Sequence, residues 1–141
     1  MTPGLGVHEQ RALDTYEGMW DAYAVAAETA DHTTDRLAPF ATGDALLVLI
    51  RGLTEAHEEG VVSRGRPVTN ARIEAVTPAE NPTRITIIDC LDSTDWLQYR
   101  GSTGELVNDV PGGRHETTAA LTRANEAWIV TDLQVRGVGT C

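Results

Sequence analysis

Residues 84–91 read Arg84-Ile85-Thr86-Ile87-Ile88-Asp89-Cys90-Leu91, a run rich in β-branched side chains in which Ile85, Ile87, Asp89 and Leu91 share one parity. A period of two with β-branched residues is the mark of a strand with one buried face. The same pattern predicts strands at about 61–66, 68–77, 95–100, 114–123 and 127–136. Turn chemistry separates them: Pro78 with Asn81-Pro82, the stretch Gly101 to Gly104, Pro111-Gly112-Gly113 and Ala124-Asn125-Glu126.

Before Gly60 the period is helical. Leu13, Tyr16, Trp20, Tyr23, Ala24 and Ala27 recur at three and four residues, which predicts a long amphipathic helix from Glu9 to about Asp31. Thr33 or Thr34 can cap a short second helix over Asp35 to Phe40, its length limited by Pro39. A third helix is expected after Thr42, with Asp44 in its first turn, Leu46, Leu49, Ile50 and Leu53 inside, and Gly60 as its stop. Three helices followed by an antiparallel meander make an α+β domain, here a single one over 9–141 behind a loose lead-in, 1–8, that contains Pro3, Gly4 and Gly6.

Composition narrows the function classes. At 141 residues the chain can bury a sizeable core without a metal, and no apolar stretch reaches the length of a membrane span. The net charge of -10 is uneven: residues 1–60 hold eleven acids against three arginines, and 61–141 hold ten against eight. Such a field repels phosphate backbones and anionic lipid, which argues against nucleic-acid and membrane-surface binding. Every basic side chain is arginine, a bias that a GC-rich genome produces without functional demand.

Two cysteines, Cys90 in mid-chain and Cys141 at the end, permit one disulfide. A terminal cysteine after Gly137-Val138-Gly139-Thr140 has little packing reason to exist, so a Cys90–Cys141 staple is expected, with Cys141 folding back to the sheet. Disulfides persist mainly outside the cytosol, which points to an extracellular or cell-envelope setting. Met1 to His8 lacks the basic start and apolar stretch of a signal segment.

The order of long helix, short helix, helix and curved sheet, closed by Ala127-Trp128-Ile129-Val130-Thr131-Asp132-Leu133-Gln134-Val135, resembles the NTF2-like (cystatin-like α+β cone) superfamily over about residues 9–137. Tyr16-Glu17-Gly18-Met19-Trp20-Asp21-Ala22-Tyr23, Ala41-Thr42-Gly43-Asp44-Ala45-Leu46, Asp89-Cys90-Leu91-Asp92-Ser93-Thr94 and Gly137-Val138-Gly139-Thr140-Cys141 look like uncharacterised secreted or lipid-anchored actinobacterial proteins of that type. The resemblance implies three helices packed on a strongly curved, mainly antiparallel sheet. It does not choose an activity, because the superfamily holds isomerases, dehydratases and hydrolases beside binding and assembly domains.

Within such a cone the first helix would bring Tyr16, Trp20 and Tyr23 over the sheet, as core or as a ligand-stacking wall. Asp89 is the acid best placed for chemistry: a carboxyl among isoleucines has a raised pKa unless it is paired, which suits a general acid or base. The bland setting for it is a strand end, solvated or bonded to a loop amide of Ser93 or Thr94, or paired with an arginine. Asp132 alternates with Trp128, Val130 and Gln134, opposite Ile129, Leu133 and Val135, and is expected on a mixed outer surface. The ketosteroid isomerases of the superfamily combine a first-helix tyrosine with sheet carboxylic acids, which Tyr16 with Asp89 or Asp132 imitates loosely. None of His8, His32, His57 and His115 has metal-ligand spacing to another, and His115 reads as an exposed strand residue. No phosphate-binding glycine loop follows a strand, and no cofactor or metal is expected.

The favoured reading is a non-catalytic secreted or surface domain that binds a small ligand or a protein partner; a homodimer through the outer sheet face would use Trp96 or Trp128 as contacts, and core or rim packing is the equal alternative for those two side chains. The alternatives are a small-molecule isomerase, dehydratase or hydrolase with Asp89 as base and Tyr16 as donor, and an assembly accessory of a phage or secretion apparatus.

Overall fold

Helix α1 spans Val7–Ala27, starting two residues ahead of the expected Glu9, with the Glu9 carboxylate capping the Gly6 N–H. A computed structural model describes residues 6–107 and 112–141; the first five residues of the lead-in and Pro111 of the expected turn lie outside the described residues. Tyr16, Met19, Trp20, Ala24 and Ala27 form the buried stripe of α1. Helix α2 spans Gly43–Glu59, buries Ala45, Leu49 and Leu53, and ends at Gly60, whose φ of 70° lets its N–H reach the carbonyls of Ala56 and His57.

The expected short helix over 35–40 is absent, so the described residues contain two helices and not three. The backbone of this segment is engaged elsewhere: the Phe40 carbonyl accepts from the Val130 N–H at 2.8 Å, and the Thr42 N–H donates to the Val130 carbonyl at 2.9 Å. Pro39 contributes no N–H and biases the preceding residue away from helix. The segment therefore covers a strand edge, and Leu37 is fully buried beneath it.

Strands β1 (Val61–Arg64), β2 (Arg72–Thr77), β3 (Arg84–Asp92), β4 (Leu97–Arg100), β5 (Arg114–Ala124) and β6 (Ala127–Val135) form two antiparallel sheets. One has the order β2-β3-β5-β6, and the other pairs β1 with β4. The predicted strand over 68–77 is broken. Val68 makes an isolated bridge to Asp92, and the ladder resumes only at Arg72. Between them Asn70 replaces the ladder with one bond to a side chain and one from its own: its N–H donates to Asp89 Oδ1 at 2.6 Å and its Nδ2 to the Cys90 backbone carbonyl at 3.1 Å.

Strand β6 departs from simple alternation. Ala120 pairs with Asp132 but Leu121 with Val130, so Thr131 is the extra residue of a bulge. Trp128 and Val130 point inward ahead of it, Leu133 points inward after it, and Asp132 is exposed. The expectation that Trp128 and Val130 share the outer face with Asp132 fails for this reason. Trp128, 3% exposed, is core and no dimer contact.

The core lies between the two helices and the inner face of the four-stranded sheet, where Ile85, Ile87, Leu121 and Val130 are fully buried. Past β6 the chain becomes a strap over β5. The Arg136 N–H donates to the Glu116 carbonyl at 3.0 Å, the Gly139 N–H to the Arg114 carbonyl at 2.9 Å, and Thr140 Oγ1 accepts from the Glu116 N–H at 2.8 Å. Cys141 then forms a disulfide with Cys90 on β3, with Cα atoms 5.9 Å apart. Closing 51 residues of chain stabilises the fold by about 4 kcal/mol in the chain-entropy description.

Candidate functional site

Helical spacing on α1 sends Tyr16, Trp20 and Tyr23 toward the sheet, and strand parity on β3 sends Asp89 and Leu91 to meet them. The result is two layers of different character. In the first, the Tyr16 hydroxyl donates to Asp89 Oδ2 at 2.6 Å while the Asn70 N–H donates to Oδ1. Asp89 is 2% exposed and Tyr16 fully buried, and the buried Thr117 stands opposite Asp89 on β5. Burial pushes the Asp89 carboxyl above the ordinary aspartate range, against the lowering effect of the Tyr16 and Asn70 hydrogen bonds. Burial, then the neighbouring Asp89 charge, pushes the Tyr16 phenol upward.

One register step along, Leu91 pairs with His115 and the interior opens into a groove of about 430 Å³. Trp20 and Tyr23 of α1 and Val48 and Leu49 of α2 form one wall. Leu91, His115 and Val135 of the larger sheet form the second. Ser63, Leu97 and Gln98 of the smaller sheet close the third side, with Ser93 and Trp96 from the connection between β3 and β4. The groove thus lies at the seam between the sheets. Among the described residues no aspartate, glutamate or arginine side chain lines it.

Its aromatic wall is a set of edge-to-face contacts: Trp20 to Tyr23 at 5.8 Å, Trp20 to Trp96 at 6.3 Å and Tyr23 to Trp96 at 5.6 Å between centroids. The Trp20 and Trp96 indole N–H groups are buried without a hydrogen-bond partner among the described residues. The Trp20 N–H also lies near enough to the Tyr16 phenol to favour its ionised form, without completing a hydrogen bond of normal geometry. The Tyr23 hydroxyl lies over Gly52, where a Cβ would meet it at 2.5 Å, so only glycine leaves it room. Burial and the Glu55 charge push the Tyr23 phenol upward.

His115 is half-buried and not the exposed strand residue expected. Its Nδ1 lies 2.8 Å from the Arg136 carbonyl of the strap and its Nε2 lies 2.9 Å from Ser93 Oγ. The strand pattern carried no sign of this pairing, because its partners come from a turn and from the terminal strap. Of the four residues expected around a pocket, Trp20 and Tyr23 line the groove, whereas Tyr16 and Asp89 lie in the sealed layer. Asp132 lies on the opposite face of the sheet, in a shallow polar depression with Glu74, Arg84 and Gln134. His32 and His57 come together with ring centroids 4.4 Å apart, yet among the described residues no group of three His, Cys, Asp or Glu side chains could hold a metal ion.

No protein-family model and no curated protein matches the chain. Solved structures do. The intermembrane-space region of the chloroplast protein ARC6 is similar at 16% identity and TM-score 0.57, covering 96% of this chain and 99% of that one. A protein of unknown function with a cystatin-like fold from Nostoc punctiforme PCC 73102 is similar at 13% identity and TM-score 0.57, with 96% and 95% covered. CagV, a VirB8 homolog of the T4SS of Helicobacter pylori strain 26695, is similar at 13% identity and TM-score 0.51, with 90% and 98% covered. With two helices on an antiparallel sheet and these likenesses across almost its whole length, the chain has the cystatin-like fold, the NTF2-like cone.

Proposed function

We propose that this chain is a non-catalytic domain of a secreted or lipid-anchored protein, and that it binds the apolar part of a small ligand or partner in the groove between its two sheets. The observation that carries this reading is the uncharged, aromatic-walled opening beside a sealed Tyr16–Asp89 pair. Concave, largely apolar pockets of this size with a few polar groups are where proteins hold small molecules. The disulfide supports an oxidising compartment.

An isomerase, dehydratase or hydrolase with Asp89 as base and Tyr16 as donor has less in its favour. Each of those side chains is the other's hydrogen-bond partner, the second carboxylate oxygen is taken by Asn70, and neither lines the groove. A catalytic base must reach a proton of its substrate. The assembly-accessory reading draws on the recurrence of this fold in CagV.

The groove is tested with the neutral fluorophore N-phenyl-1-naphthylamine titrated into the full chain. Saturable binding at one site is expected, and Val48→Arg, at a position 38% exposed on the rim, should abolish it while leaving the melting temperature nearly unchanged. Absence of saturable binding, or binding that survives Val48→Arg, overturns the reading. Light scattering across a concentration series addresses the assembly alternative: growth in mass with concentration supports self-association.

A further inference from the structure

We infer that the groove selects an uncharged lipophilic molecule carrying a hydroxyl group, an alcohol or phenol, whose proton is received by the His115–Ser93 pair. The inference rests on the groove being a binding site, as proposed above. Its starting point is the proton inventory of that pair. A carbonyl oxygen only accepts, so the 2.8 Å contact of His115 Nδ1 with the Arg136 carbonyl fixes the proton on Nδ1 and leaves Nε2 as an acceptor in the neutral ring.

Ser93 has one hydroxyl proton and two internal acceptors for it, His115 Nε2 at 2.9 Å and the Gly113 carbonyl at 3.1 Å. The Gly113 N–H already donates to Ser93 Oγ at 3.3 Å. The pair therefore has no proton to spare. When the serine proton turns to Gly113, Nε2 is free to accept, and when it turns to Nε2, the remaining serine lone pair is free to accept. Both residues line the groove, so the capacity it presents at this point is for a donor.

Charge narrows the donor. Among the described residues an ammonium group would find no carboxylate in the wall to offset its desolvation, and an anion would find no arginine there and meet the repulsion of a chain with net charge -10. A neutral O–H on an apolar body meets both conditions, with its rings against Trp20, Tyr23 and Trp96 and its proton on the polar pair.

The test compares 2-naphthol with 2-methoxynaphthalene, of the same ring system but without the proton, in fluorescence titrations of the full chain near neutral pH. Wild type should bind 2-naphthol about fivefold more tightly, the size of one net hydrogen bond. Ser93→Ala removes the internal competitor for Nε2 and should keep or enlarge that preference. His115→Phe combined with Ser93→Ala removes both acceptors of the pair and should reduce it to near unity while still binding the ether; a preference that survives the double variant overturns the inference. Equal affinities in wild type, or a preference lost in Ser93→Ala though its fold is intact by circular dichroism, overturn the inference while leaving the groove as an apolar site. Failure of both naphthalenes and of N-phenyl-1-naphthylamine to bind overturns the binding reading itself, and the inference with it.

Discussion

Tyr16 and Tyr23 stand two turns apart on one face of α1, and the two layers of the interior they enter differ in almost every physical respect. Around Tyr16 the phenol, the Asp89 carboxylate and the Asn70 amide satisfy one another, with Tyr16 and Asp89 both buried. Around Tyr23 the walls are aromatic, a groove remains open, and the polar groups line it from a turn and from a strap. The difference arises from topology. β3 and β5 continue in register through Asp89 and Thr117 to Leu91 and His115, but beyond Asp92 the chain leaves for the smaller sheet, and the interior there is roofed by Trp96, Leu97 and Gln98 instead of by another paired strand. On the reading proposed above, the sealed layer serves stability and the seam between the sheets is the binding site.

The largest expected effect comes from the strap that adjoins the open layer. Cys141→Ser should cost about 4 kcal/mol of stability to chemical denaturation, since the cross-link acts largely by restricting the unfolded chain. Hydrogen exchange sharpens the comparison: the Gly139 and Glu116 amides, bonded between strap and β5, should lose protection in the variant, whereas the Asn70 amide on Asp89 should keep it relative to global unfolding. Equal loss at Asn70 and Gly139 would show that the two layers open as one. The wild-type protein should resist thiol alkylation until it is reduced, as both cysteines are engaged.

Next in size is Asp89→Asn. An amide can accept one of the two hydrogen bonds that Asp89 receives and sets its NH₂ against the other donor, so a loss of roughly 2 to 3 kcal/mol is expected. The sign of its pH dependence follows from burial. The folded-state pKa of Asp89 is raised, so the folded protein binds this proton more tightly than the unfolded chain does, and the carboxyl's contribution falls as pH rises from about 4 through the folded value. The deficit of Asp89→Asn relative to wild type should therefore be greatest at low pH and shrink toward neutrality. A deficit that grows with pH would mean that the hydrogen bonds outweigh burial and that the layer is built for the charged form.

Much of this contrast was legible in residues 84–91 and in the spacing of α1, because both depend on periodicities that a buried face imposes locally. Asp89 among isoleucines and Cys141 returning to Cys90 follow from those periods and from cysteine position, whereas Trp20 and Tyr23 at the mouth of a cone follow only from the family resemblance. What was not legible depends on partners distant in sequence. Thr131 carries no local mark of a bulge, so simple alternation places Trp128 and Val130 on the wrong face. The 35–40 segment has a capping threonine at its start, but at its end the Phe40 carbonyl and the Thr42 N–H bond to Val130 of β6. The pairing of His115 with Ser93 needs the strap in place before it exists.

The smallest effect is the sharpest probe of the two layers, because one substitution can be made in each. Tyr16→Phe removes the donor to a buried carboxylate and should cost about 2 kcal/mol, the penalty of leaving one oxygen of a sealed group unmatched. Tyr23→Phe removes a hydroxyl that rests on Gly52 with no hydrogen-bond partner among the described residues and that lines an open groove. Its stability near neutral pH should stay within about 0.5 kcal/mol of wild type, as for changes that break no buried network. The same oxygen deleted at two points two turns apart on one helix would then separate sealed from open by the difference in unfolding free energy. If Tyr23→Phe costs as much as Tyr16→Phe, its hydroxyl has a buried partner and the groove is less open than its walls suggest. If both are silent, Asp89 is satisfied without Tyr16, and the carboxyl becomes free for the chemistry that its sealed setting otherwise denies it.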